Sequence, residues 1–181
     1  MTAQPRSEIE PKISWPDRLF EVLKASGIRQ VGYVPDAGHA RLIERCRADP
    51  QIHDVVLTTE EEGVALAAGA WLGGARAALL MQSSGVGNCI NMLSLMRSCR
   101  FPMLMFITMR GEWEEFNPWQ VPMGSIVDPV LKLCEAEVYR AREPADVAEH
   151  AERAAQQAFS DERIAAVLLS QELIGKKVWT Q

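Results

Sequence analysis

Three short stretches set reactive side chains where an apolar run gives way to a helix. The first is MQSSGVGN, Met81 to Asn88, with two amides, two hydroxyls and two glycines directly after hydrophobic residues. A helix starting there offers unpaired N–H groups and the positive end of a dipole, a common setting for a phosphate. Its usual companions are missing, because neither G-x-x-x-x-G-K-[ST] nor G-x-G-x-x-G is present. On spacing alone, a tight strand-to-helix turn accounts for the stretch better than a nucleotide site.

The second stretch, TTEEEG, puts three carboxylates, Glu60, Glu61 and Glu62, at a helix start. Thr59 and Glu62 have capping-box spacing, and acid in the first turn suits the dipole, so ordinary helix chemistry explains the run. The GVALAAGA that follows adds weight to a second reading. Small apolar side chains keep a facing carboxylate dry, and a dry carboxylate can exchange protons. The third stretch, TMRGEW, offers Arg110, whose planar fork suits an anion, although Glu112, Glu114 or Glu115 would pair with it as readily. His39, one residue into the helix after VPDAG, is either a solvated helix-start histidine or a participant. Trp113, Phe116 and Trp119 suit a pocket wall and an interface equally.

Such residues cooperate only if the fold brings their turns together. Ser14, Pro16 and Asp17 mark a helix start, and that helix runs to about Ser26. RQVGYV, HDVVLT, ARAALLMQ, FPMLMFIT, EVYRA and IAAVLLS read as strands. GHARLIERCRAD, EEEGVALAAGAWLGG, GNCINMLSLMRSC, a segment near 127–134 and another from Pro144 to about Phe159 read as helices between them. Alternation of this kind predicts an α/β fold, a three-layer open sheet of about six parallel strands with helices on both faces. Ligands of such sheets gather at the carboxyl ends of the strands, where all three stretches and VPDAGH fall.

The chain has 181 residues, 48% of them hydrophobic, enough for one sizeable core over residues 13–181. Residues 1–12, MTAQPRSEIEPK, read as a flexible arm without an export signal. A net charge of -5 with no dominant basic cluster argues against nucleic acid, and the apolar runs are too short for a membrane span. Cys46, Cys89, Cys99 and Cys134 lack metal-site spacing and fit buried reduced thiols in a cytoplasmic protein, with no metal held by this chain.

Taken together, VPD, EEEGVALAAGA, MQSSGVGN and MRGEW followed by QVPMG resemble the pyrimidine-binding domain of thiamine diphosphate enzymes. Within that superfamily the similarity is greatest to the alpha subunit of sulfopyruvate decarboxylase, then to phosphonopyruvate decarboxylase. The resemblance implies that a glutamate opening the helix after strand two bonds N1′ of the aminopyrimidine and promotes proton loss at thiazolium C2. Counting back from Gly69 puts it at Glu60, with Glu61 in reserve. It further implies that Ser84, Gly85, Gly87 and Asn88 border the cofactor. His39, Gln82, Ser83 and Arg110 are then the candidates to meet substrate, Arg110 at a distal anion. In that family the diphosphate and Mg2+ belong to a second domain with a G-D-G…N motif, and G-D-G does not occur here. The resemblance therefore implies a diphosphate-binding beta subunit as partner, self-association inside a hetero-oligomer, and a small anionic 2-oxo acid as substrate. Competing readings are a decarboxylase or carboligase subunit for another small anionic 2-oxo acid, phosphonopyruvate first, a non-catalytic regulatory subunit of the same fold, and a stand-alone flavodoxin-like nucleotide binder.

Overall fold

A computed structural model describes residues 14–175, and the arm expected over residues 1–12 lies outside them. Six strands, β1 (Ile28–Tyr33), β2 (His53–Val56), β3 (Arg76–Gln82), β4 (Met103–Thr108), β5 (Glu137–Ala141) and β6 (Ile164–Leu169), form one sheet ordered β2-β1-β3-β4-β6-β5. Every pairing is parallel. The helices are α1 (Trp15–Ala25), α2 (Ala40–Ala48), α3 (Glu60–Leu72), α4 (Ser83–Cys99), α5 (Gln120–Leu133), α6 (Asp146–Asp161) and the short α7 (Gln171–Ile174).

Alternating side chains of the sheet build two cores. Leu104 and Phe106 of β4 join Val31, Leu80 and Val167 beneath α1, α2 and α6. Met103, Met105 and Ile107 of the same strand join Leu79, Met81 and Leu168 beneath α3, α4 and α5. Strands buried on both faces are continuous in apolar residues for this reason. Helix α3 sits so close to β3 that a methyl on Gly63 would lie 2.3 Å from Leu79 Cδ1. The chain leaves β1 in one direction toward β2 and returns on its other side as β3, which opens a crevice between the carboxyl ends of β1 and β3.

The helix boundaries depart from expectation in ways that matter at that crevice. Helix α4 starts at Ser83 and not at Gly87, so SSGVGN forms its first turns instead of a loop. Helix α5 starts at Gln120, well before residue 127, because Pro122 stands in the first turn where its missing N–H has no helical partner to lose. Helix α7 was not expected; Ser170 caps it, its Oγ accepting from the Leu173 N–H at 3.4 Å. Ser14 stands at the cap position of α1, yet its hydroxyl donates to Asp17 Oδ2 at 2.5 Å and does not cap a backbone N–H. Cys46 and Cys89 are buried as expected, whereas Cys134 is half-buried and Cys99 exposed, and all four are free thiols. Among the described residues no helix is long and apolar enough to cross a membrane.

Candidate active site

The three carboxylates of TTEEEG have separate fates. Glu62 Oε2 accepts from the Thr58 N–H at 2.8 Å, so it serves the helix start, one residue earlier than a strict capping box. Glu61 is exposed. Glu60 is only 8% exposed and turns toward α4, where Asn88 Nδ2 donates to its Oε2 at 2.8 Å. A methyl built on Gly85 would come within 2.5 Å of the Glu60 Cδ and Oε1 atoms. The carboxylate thus lies directly on the backbone of α4, a position that glycine alone leaves open. Below it, burial and then the charges of Glu60 and Glu61 push the Cys89 thiol up to about 12, so it stays protonated.

Beside Glu60, polar side chains from three strand ends converge. Thr108 Oγ1 donates to Asp36 Oδ2 at 2.6 Å, and Gln82 Nε2 donates to Asp36 Oδ1 at 3.1 Å. Gln82 Oε1 accepts from Gln120 Nε2 at 3.0 Å and from Ser84 Oγ at 3.3 Å. Gly38 brings the backbone close, since a methyl there would meet Thr108 Cγ2 at 2.8 Å and Asp36 Oδ2 at 2.9 Å. Of these residues only Gln82 and Ser84 stand among the sequence-derived candidates. Asp36 lies inside the VPD motif, and Thr108, like Gln82, is a polar residue ending an apolar strand; both signals were readable. Gln120 opens the QVPMG of the same resemblance, but its segment read as loop and nothing in the spacing tied it to Gln82.

His39 and Ser83 are near this cluster but enclosed. His39 is fully buried in the one-turn helix Ala37–His39, with Nε2 3.1 Å from the Phe106 carbonyl oxygen, so that nitrogen carries the proton it donates. Its Nδ1 has no partner. Burial holds its pKa below the ordinary histidine value, against a weaker opposing pull from Asp36. Ser83 Oγ accepts from the Arg110 N–H at 3.1 Å, which ties the start of α4 to the loop after β4.

Arg110 is also committed. Its Nε donates to Glu115 Oε2 at 2.7 Å and its Nη2 to Glu115 Oε1 at 2.5 Å, a two-pronged pair. Glu115 additionally accepts from the N–H groups of Gly111 and Asn117 and from Gln171 Nε2. Led by Arg110, these donors lower its pKa to about 2. Gln171 Oε1 accepts from the N–H groups of Glu112 and Trp113, and Arg140 pairs with Glu112. The loop after β4 is therefore braced by α7. The Arg110 guanidinium lies 5.5 Å from the centre of the Phe116 ring, while Trp119 stands 70% exposed on the rim.

Residues 15–119 match the family described as thiamine pyrophosphate enzyme, N-terminal TPP binding domain. Sulfopyruvate decarboxylase subunit alpha of Methanocaldococcus jannaschii is 37% identical over 127 residues, which cover 70% of this chain and 75% of that one. Phosphonopyruvate decarboxylase of Streptomyces viridochromogenes is 38% identical over 121 residues, 66% of this chain and 30% of that longer protein. Among solved structures, 2-oxoglutarate:ferredoxin oxidoreductase from Magnetococcus marinus shares the fold with a TM-score of 0.71 at 12% identity, over 96% of this chain and 33% of the other.

Proposed function

The chain belongs to the thiamine pyrophosphate enzymes, through their N-terminal cofactor-binding domain, and on that premise we propose that it is the alpha subunit of a two-chain decarboxylase of 3-sulfopyruvate. The products are sulfoacetaldehyde and CO2. One observation carries this reading: Glu60, buried at the amino end of α3, is held by Asn88 and pressed against Gly85. A carboxylate held in this way fits the aminopyrimidine of thiamine diphosphate, which needs such a group at its ring edge.

When bound, that cofactor supplies an acidic thiazolium carbon able to take up the electrons released with CO2. The protein's part is to hold and move a proton. Asn88 fixes Oε2 of Glu60, which leaves Oε1 to share a proton with N1′. Ser84 and Asn88 on α4 border the ring and substrate, while Gly85 leaves room for the Glu60 carboxylate and Gly87 for Met123, whose Sδ a methyl there would meet at 3.4 Å. We assign substrate contact to Gln82 and Ser84, and give His39 and Ser83 the task of supporting Asp36 and the Arg110 loop from below.

The diphosphate and Mg2+ belong, in this reading, to a separate beta subunit. The similarity to a protein named as the alpha subunit of sulfopyruvate decarboxylase supports it. Self-association through α3 and α4 fits the same scheme, since Leu72, Ile90 and Leu95 stand exposed there and a methyl on Gly69 would meet nothing within 4 Å. Phosphonopyruvate is the alternative substrate. The two decarboxylases are similar to the chain at 37% and 38% identity, and an Arg110 already paired with Glu115 makes no choice between the two anions. Production with a partner carrying G-D-G…N, followed by CO2 release from 3-sulfopyruvate, phosphonopyruvate and pyruvate, tests this; release from 3-sulfopyruvate at the highest kcat/KM is expected. Inactivity on every 2-oxo acid would overturn it in favour of a regulatory subunit.

A further inference from the structure

The series Thr108, Asp36, Gln82, Gln120 has a direction, and one residue sets it. A carboxylate can only accept hydrogen bonds, so Asp36 obliges Thr108 to donate its hydroxyl proton and Gln82 to present its amide nitrogen. The carbonyl oxygen of Gln82 then faces the other way, where Ser84 and Gln120 donate to it. Gln120 in turn must present its nitrogen, and its Oε1 is left buried without a donor in a residue 9% exposed. Buried acceptors without donors are few in folded proteins because they are costly. Turning Gln82 alone would set its oxygen against Asp36 and its nitrogen against that of Gln120, so no single member can reverse.

We propose that Asp36 and Gln120 are positioning residues that hold the Gln82 amide in one orientation, keeping the Nε2 hydrogen not given to Asp36 as a donor to an oxygen of the 2-oxo acid. The proposal rests on the reading that the site takes such an acid. A reversed Gln82 presents carbonyl lone pairs to the same electron-rich oxygen and repels it. Half-exposed at the end of β3, Gln82 is the member of the series that reaches the crevice and also has an N–H to spare.

The test reverses the hydrogen-bond direction along the series by moving the carboxylate from one end to the other. Gln120→Glu at pH 8 sets an acceptor against Gln82 Oε1, and the melting temperature of the full chain is expected to fall by several degrees. At pH 5 the loss shrinks, because an introduced acid that is protonated can donate as the amide did. Adding Asp36→Asn lets the introduced amide accept from Thr108 and donate to a turned Gln82, whose nitrogen then meets the introduced carboxylate. At least half of the lost melting temperature returns. If Gln120→Glu does not fold alone, folding of the double variant is that rescue. In the complex with the diphosphate-binding partner, the double variant is expected to show KM for the 2-oxo acid raised about tenfold or more, with thiamine diphosphate affinity unchanged within about twofold. Losses that simply add, or a double variant that does not fold, overturn the directed series. A double variant with restored stability and an ordinary KM overturns the role in substrate binding. A wild-type complex inert toward every 2-oxo acid fails the functional reading instead, and the melting temperatures still decide the series.

Discussion

Glu60 and Gly85 touch across two helices, the carboxylate of one lying where the Cβ of any other residue at position 85 would stand, at 2.5 Å. Two effects oppose each other in Gly85→Ala. An alanine inside α4 gains up to about 1 kcal/mol of helix propensity. The crowding of a packed site costs about 1–3 kcal/mol and is relieved only by moving Glu60. The net is expected to be a loss of about 0–3 kcal/mol, while proton exchange at thiazolium C2 slows about tenfold or more in the complex. Denaturant unfolding and NMR-followed exchange measure the two; an unaltered exchange rate would show that Glu60 need not stay where it is.

Glu60→Gln preserves size and leaves Asn88 an oxygen to donate to, but it removes the group that can share a proton. C2 exchange is expected to slow by about a hundredfold or more, with folding spared. Glu61→Gln, at an exposed position, is the control and should leave the rate unaltered. The opposite result would move the assignment by one residue.

Much of the fold was legible because both its signals are local. Strands such as Met103–Thr108 are apolar throughout, and helices such as α3 end in paired glycines, so element type and order followed from pattern alone. The start of α4 was not legible: Ser83, Gly85 and Gly87 are turn formers by propensity, and only the approach of Glu60 to Gly85 explains why glycine is needed inside a helix. Site legibility divides the same way. Glu60 followed from the family resemblance and a count, whereas the pairing of Arg110 with Glu115 and the joining of Asp36, Gln82, Thr108 and Gln120 depend on contacts between elements far apart in sequence. Spacing cannot report these.

The bracing of Arg110 makes a prediction about substrate selection. Arg110→Lys replaces a fork by a point charge and loses one of two bonds to Glu115. Because the charge is already neutralised within the loop, kcat/KM is expected to fall by a similar factor, about threefold to tenfold, for 3-sulfopyruvate and for pyruvate alike. A loss confined to the anionic acid would assign Arg110 to the distal anion after all.

Acid should unfold the chain in two stages, both of the same sign. His39 is buried neutral with a depressed pKa, so the unfolded chain binds its proton more readily and stability begins to fall as pH drops below 6.5. Glu115, lowered from 4.5 to about 2, contributes stability that is complete above 4.5 and is lost as pH falls toward 2. Linkage alone would put that second loss near 3 kcal/mol, and solvent screening at the loop reduces it to about 1–2 kcal/mol. Glu115→Gln should flatten the lower stage and His39→Gln the upper one, as read from urea midpoints between pH 7 and pH 3.

The lone chain is expected to be catalytically silent and to bind thiamine diphosphate weakly. In the proposed scheme it offers the cofactor the Glu60 carboxylate and the Asn88 amide, which recognise the aminopyrimidine ring. In the proposed scheme the larger share of affinity comes from Mg2+ and the diphosphate, whose oxygen ligands belong to the partner. Calorimetry on the chain alone should therefore give a dissociation constant at least about a hundredfold weaker than on the assembled complex, a difference of about 2.7 kcal/mol. CO2 release should appear only when the partner is added. Tight binding with turnover by the lone chain would mean that the diphosphate site lies within these 181 residues, and the proposed division of labour would fall.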